Sequence, residues 1–375
     1  MRPRALPALT GLRFPLALAV LLFHYAAEAA GTAPFPVAGL LRNGFGAVSA
    51  FFVLSGFILS YTYSDDSGVL RGSRWGFWSA RFARIYPIYL LSILLIFQGY
   101  LMTQSGGIGS IIGATLSTLT LTQAWWPGAA LSINSAGWSL SVEAFLYACF
   151  PWLLGLIRPG RKRLVTLLLV CFCVSVGPAA MFVVAGHRGQ DLTALVRYNP
   201  LFHLGSFVTG MAMERLTRLR PLPLWTGWVS LAAIVAAFAA GPSIPYEILN
   251  NGLLALPFAA LIACLATGMW PLSNVLASRP LVELGNASYC LYILHLPLEP
   301  AILLLNAQTL HFSKSSWSFV VEAVVFSVIA SLVLYRFVED PYRRRIRESL
   351  LKLASGKKAI PAGEGRNQPQ ATTVN

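Results

Sequence analysis

Residues 9–30 read Leu9-Thr-Gly-Leu-Arg13-Phe-Pro-Leu-Ala-Leu-Ala-Val-Leu-Leu-Phe-His24-Tyr-Ala-Ala-Glu-Ala-Ala30, and the fold follows from this stretch. A helix needs about 20 mainly apolar residues to cross the hydrocarbon of a bilayer, and this run supplies them. It is too long for the apolar region of a cleavable signal peptide and has no convincing small-residue cleavage site. Stretches of the same character recur at 40–61, 85–102, 138–157, 164–185, 195–213, 224–240, 248–269, 287–305 and 317–337. A weaker one, 108–123, is rich in Thr, Ser and Gly and is followed by Trp125-Trp126-Pro127. The expected fold class is all-α: a polytopic transmembrane helical bundle of about ten crossings, with 108–123 as one weak re-entrant or interfacial segment.

Composition agrees. Hydrophobic residues make up 56% of the 375 and charged residues 11%, where a soluble domain carries about 25% charged residues; mean hydropathy is +0.65. Residues 1–342 are read as one integral-membrane domain and 343–375 as a basic cytoplasmic tail, disordered where Gly, Lys, Pro and Gln dominate from Ala354 onward. The 28 Lys and Arg against 14 Asp and Glu give a formal net charge of +14. These charges lie in short clusters between apolar runs, the positive-inside pattern of a membrane protein, so nucleic acid is excluded as a partner and membrane lipids are expected. If 108–123 does not cross, every large basic cluster falls on one side, with both termini in the cytoplasm. The five cysteines, Cys149, Cys171, Cys173, Cys264 and Cys290, all lie in apolar segments. Their spacing matches no disulfide or zinc framework, and no metal site is expected. No internal repeat of the kind that marks many transporters is visible.

An ionisable group inside a membrane costs at least about 2.5 kcal/mol, so each one asks for a reason. His24 follows Arg13 by eleven positions, about 16 Å along a helix. Arg13 can reach an interface by extending its side chain, whereas His24 cannot. The imidazole suits proton transfer with a hydroxyl, and it equally suits a buried hydrogen bond to a neighbouring helix. In Trp138-Ser139-Leu-Ser-Val-Glu143-Ala-Phe-Leu-Tyr147, Glu143 stands one turn from Ser139 and from Tyr147. It can orient an imidazole or bind a hydroxyl, or it can pair structurally with an arginine. Arg81-Phe-Ala-Arg84-Ile-Tyr-Pro87 places two guanidiniums at i, i+3, a two-pronged anion site or a topology signal. Ser55-Gly56, within Phe51-Phe-Val-Leu-Ser-Gly-Phe57, admits close approach of another backbone or of a thin substituent. Ser288-Tyr289-Cys-Leu-Tyr292-Ile-Leu-His295 runs a polar stripe through one span, read as a proton path or as a ladder between helices.

Together, and in this order along the chain, these features resemble the bacterial acyltransferase family 3, integral-membrane O-acyltransferases of surface polysaccharides and related acceptors. The match runs from Arg13 to about Tyr342. It implies that His24 is the essential histidine with Arg13 as its partner, that Arg81 and Arg84 contact the acyl donor, and that Trp138 and Glu143 form the acidic motif. On this resemblance the catalytic pair is His24 and Glu143, the donor-binding residues are Arg13, Arg81 and Arg84, and the acceptor-binding or supporting residues are Ser55, Trp138, Ser139, Tyr289 and His295. No bound cofactor is implied; acyl-CoA, most commonly acetyl-CoA, would be the co-substrate, and a carbohydrate or glycolipid hydroxyl the acceptor. Some members carry a fused extracytoplasmic hydrolase-like domain. There is no room for one after Phe337, so transfer is expected to be completed within the membrane domain, in the bacterial cytoplasmic (inner) membrane.

A second class fits the same spans. A proton-coupled transporter or flippase for a polar or lipid-linked solute would also place His and Glu inside the membrane. The absent repeats and the arginine pair, which suggests a docked anion rather than a passage, speak for the acyltransferase.

Overall fold

The computed structural model describes residues 5–103, 107–186 and 189–354, and these are all-helical apart from turns and one isolated bridge between Ser64 and Leu70. The helices are α1 (Pro7–Tyr25), α2 (Phe35–Arg42), α3 (Ala47–Tyr63), α4 (Arg74–Thr103) and α5 (Ile108–Leu119), then α6 (Trp138–Leu153), α7 (Arg161–Val184), α8 (Gln190–Tyr198), α9 (Pro200–Leu219) and α10 (Trp225–Ala239). The short α11 (Tyr246–Ile248) leads through a π-helical turn into α12 (Ala255–Ala266), followed by α13 (Pro271–Leu276), α14 (Arg279–Gln308), α15 (Trp317–Leu334) and α16 (Asp340–Ala354).

Among the described residues, seven helices are long and apolar enough to cross a membrane, and an eighth crossing is formed if Tyr246–Leu253 and Ala255–Ala266, bent by 42°, are one broken span. The stretch expected to be non-crossing, 108–123, forms only the 12-residue α5. At about 1.5 Å per residue it covers roughly 18 Å, short of a hydrocarbon core of about 30 Å. The stretch 224–240 yields the 15-residue α10, also short. The stretch 195–213 is divided between α8 and α9. The boundary drawn at 342 falls inside α16, so 343–354 are helical; 355–375 lie outside the described residues.

Burial on α15 has the polarity of a membrane helix. Val321, Val325, Ile329 and Val333 recur every fourth residue on its exposed side, while Ala323, Ser327 and Ser331 are buried. Large apolar groups face outward and small or hydroxyl-bearing ones face the bundle, because in lipid the association of helices rests on close packing rather than on hiding apolar surface.

Helices α3 and α9 approach each other closely. A Cβ at Gly56 would lie 2.0 Å from the carbonyl oxygen of Phe207, and one at Gly210 would lie 2.0 Å from that of Val53. Each helix thus receives the other's backbone at a glycine, and Ser55-Gly56 owes its small residue to packing. At the end of this pair, Ser60 donates to Glu214 at 2.7 Å, and Arg218 joins Glu214 to Asp66. Helix α1 rests on α14 in the same way: a Cβ at Gly285 would lie 2.0 Å from the carbonyl oxygen of Thr10.

Gly56→Ala or Gly210→Ala is expected to force the helices apart and cost about 1–3 kcal/mol, read as a lower melting temperature of the detergent-purified protein. Gly177→Ala, where a Cβ meets nothing within 4 Å, should not lower it. An unchanged melting temperature in the first two variants would show that the crossing is not this tight.

Candidate active site

Five helices build a cavity with about 690 Å³ of open space in the middle of the bundle. α1 contributes Arg13, α3 Ser55, α4 Arg81 and Arg84, α6 Glu143 and Tyr147, and α14 Tyr289 and Tyr292. Glu143 accepts hydrogen bonds from Ser55, at 3.1 Å, and from Tyr147, the residue one turn further along α6. Its partners are hydroxyls; no ion pair to it is found among the described residues, although three guanidiniums line the same cavity.

The two arginines of α4 are held differently. Arg84 forms an ion pair with Glu339 at 3.0 Å, and the Glu339 side chain is fully buried. Tyr289, whose ring lies 6.0 Å from the Arg84 guanidinium, is fixed by donating to the carbonyl of Ile85 at 2.6 Å. Arg81 lies between the rings of Tyr63 and Tyr147, at 5.5 and 5.8 Å, and donates to the Tyr63 hydroxyl at 3.3 Å. One prong is therefore charge-neutralised, while the other is held by aromatic faces that leave its charge uncompensated.

Toward α14 the cavity stops at Ser139 and Tyr292, whose hydroxyls are 2.7 Å apart. One turn beyond Tyr292 lies His295, buried, with Nδ1 donating to the Tyr292 carbonyl at 2.5 Å. A carbonyl only accepts, so Nδ1 carries the proton and Nε2 presents a lone pair; no partner for Nε2 is found among the described residues. Tyr25 donates to the His295 carbonyl at 2.5 Å, fixing α1 against α14. That register sets His24, in the last turn of α1 and exposed, with its ring 5.0 Å from that of His295. Glu299, one turn past His295, accepts from Lys314 at 3.3 Å.

Of the residues singled out in the sequence, Arg13, Ser55, Arg81, Arg84, Ser139, Glu143 and Tyr289 thus share one cavity, and His24 and His295 form a pair outside it. The sequence reading set Glu143 beside His24; the fold brings His295 to His24 instead. Trp138 lines neither place and packs against Tyr198 and His203, with ring centroids 5.1 and 5.2 Å apart. Glu339 and Tyr25 were not anticipated. Glu339-Asp340 lies between the last apolar run and the basic cluster that starts at Arg343, an acidic signal that charge counting for topology passes over. Cys290 of α14 donates its thiol to Glu339 at 3.2 Å.

A multi-pass helical membrane protein with a basic cavity leading toward a histidine pair is the class that fold and site define. The family model described as an acyltransferase domain matches residues 6–336, and the chain belongs to that family; it is an acyltransferase. Among relatives, it is 30% identical over 376 residues to the acyltransferase MdmB of Streptomyces mycarofaciens, covering 92% of this chain and 94% of that protein. It is 23% identical to the O-acetyltransferase OatA of Staphylococcus aureus (strain NCTC 8325 / PS 47), over 92% of this chain and 58% of OatA. To the putative peptidoglycan O-acetyltransferase YrhL of Bacillus subtilis (strain 168) it is 25% identical, over 91% of this chain and 55% of YrhL. The chain thus spans nearly all of MdmB and little more than half of the two O-acetyltransferases. No solved structure matches. The family membership decides between the two classes left by the sequence in favour of the enzyme.

Glu339→Gln is expected to leave Arg84 unpaired in the interior and to destabilise the protein by about 3–5 kcal/mol. Thermal unfolding in detergent checks this through a double-mutant cycle with Arg84→Gln, in which the double variant should lose less than the sum of the two. Additive losses would mean that the two groups do not act as a pair.

Proposed function

We propose that the protein is a membrane-bound O-acyltransferase that moves an acyl group, most simply acetyl, from cytoplasmic acyl-CoA to a hydroxyl of an extracytoplasmic carbohydrate or glycoconjugate. The observation that carries this reading is the line from arginine-walled cavity to histidine pair. An anionic donor is held at Arg13, Arg81 and Arg84, and a base waits one helical turn past the inner end of the cavity. The names of the O-acetyltransferase relatives support oxygen as the acceptor atom.

In this mechanism the diphosphate of the donor pairs with the guanidiniums, which suit phosphate by their planar, forked geometry. The thioester lies inward, toward Ser139 and Tyr292. The acceptor hydroxyl, approaching the exposed His24 from the other side, gives its proton to the imidazole as its oxygen attacks the thioester carbonyl carbon. The carbon–sulfur bond then breaks, the new ester carries the acyl group, and the leaving thiolate takes up a proton. His295, with its ring 5.0 Å from that of His24 and a free lone pair on Nε2, is the group that would orient it. Glu143, bonded to Ser55 and Tyr147, lines the donor cavity and positions the donor rather than touching His24. The bacterial cytoplasmic membrane, with the basic clusters and both termini on the cytoplasmic side, is the location this direction of transfer requires.

His24→Ala, expressed at wild-type level in membranes, should lower acyl transfer about 100-fold or more. Mass spectrometry of surface glycoconjugates from cells carrying the wild-type or the variant chain reads this directly. Undiminished acylation in the variant would remove His24 from the reaction.

A further inference from the structure

A second cavity, with about 1200 Å³ of open space, adjoins the first and shares Arg13, Arg81 and Arg84 with it. Its opposite wall is α16, which turns Arg343, Arg344 and Arg347 into it, along with Glu348. These four positions fall on one face of the helix, and Arg345 faces away. The basic cluster that sequence reading assigned to topology is therefore half of a cavity wall.

The charges on this wall are incompletely matched. Arg84 is paired with Glu339, and Asp340 binds Arg343 at 2.5 Å and Arg344 at 2.7 Å. Arg13, Arg81 and Arg347 have no ion pair among the described residues, and the buried Nε of Arg81 has no hydrogen-bond partner. Positive charge is thus in excess on both walls of one cleft, a costly arrangement unless an anion enters. The platform is also fixed: α16 is tied to α4 where Trp75 donates to the carbonyl of Leu350 at 3.2 Å, and at its other end by Arg84 and Glu339.

We propose that α16 is the second jaw of the donor site, with Arg344 and Arg347 holding the phosphate on the ribose of coenzyme A while Arg13 and Arg81 hold the diphosphate. This rests on the acyl-CoA reading above and extends it. The order of groups along the donor supports the assignment. Acyl group and pantetheine precede the diphosphate, and the nucleoside with its ribose phosphate comes last. A donor whose thioester points toward Tyr292 therefore has its terminal phosphate at the outer cavity, against α16. An anionic lipid headgroup has the same phosphate chemistry but no reason to reach the arginines that this cavity shares with the inner one.

The test is equilibrium binding of radiolabelled acetyl-CoA and of its 3′-dephospho analogue to the purified full chain in phosphatidylcholine nanodiscs, repeated with phosphatidylglycerol added. The wild type is expected to prefer acetyl-CoA. Arg344→Gln and Arg347→Gln should each weaken acetyl-CoA binding about tenfold and leave the dephospho analogue nearly unaffected, and Arg345→Gln should match the wild type. Wild-type affinity for acetyl-CoA in both α16 variants would remove α16 from the donor site and leave the donor reading standing. A defect seen only with phosphatidylglycerol present would assign the arginines to lipid and overturn the proposal. No binding of acetyl-CoA to the wild type would overturn the donor reading itself.

Discussion

A buried carboxylate holds the arginine-rich end of this molecule together. Glu339 has no exposed side-chain surface, and at that depth an unpaired charge is too costly to keep. It meets Arg84 from α4, Cys290 from α14 and, at longer range, Arg343 of α16. One side chain thereby fixes the angle at which the last membrane helix turns, through a π-helical segment at Tyr335–Glu339, into the basic helix that closes the outer cavity. If this pair were absent, α16 would lose the anchor nearest its start. The inner cavity would lose the orientation of Arg84 as well, because the guanidinium that borders the cavity is the one Glu339 holds.

Much of the fold was legible because lipid imposes a strong rule. Backbone polar groups must be satisfied within each span, so long apolar runs become helices, and the stretches containing Arg13, Ser55, Glu143 and His295 all did. Crossing number was less legible, since the test depends on length. Residues 108–123 and 224–240 are apolar enough to suggest spans, yet their helices run only 12 and 15 residues. Residues 248–269 pass only if a helix broken near Gly252, where φ is +96°, is counted as one crossing. Breaks of this kind turn on a single backbone conformation that a hydropathy window averages away.

The site was legible residue by residue and not pair by pair. Each polar group inside a span announces itself by its cost, so Arg13, His24, Arg81, Arg84, Glu143 and His295 stood out before any contact was known. Which of them meet depends on the rotation and register of helices distant in sequence. The hydrogen bond from Tyr25 to the His295 carbonyl joins residues 270 positions apart. It, with the glycine contacts between α1 and α14, decides that His24 faces His295. Glu339 and the face of α16 stayed hidden for another reason. At a membrane boundary charges are cheap, so an acidic residue among arginines looks like ordinary interface until the helix is seen folded back under the bundle.

These two sites, one rich in arginine and one in histidine, are separated by very little. Tyr292 belongs to both: its hydroxyl closes the inner cavity against Ser139, and its carbonyl sets the tautomer of His295. A change in the rotamer of Tyr292 would open the cavity toward the histidines without disturbing the backbone carbonyl on which the tautomer depends. The two contacts ride on different atoms of one residue, so the partition between the arginine cavity and the histidine pair can yield while His295 stays configured. On the proposed transfer from acyl-CoA that separation has a use, because a thioester left open to the histidines and to water would hydrolyse in the absence of an acceptor.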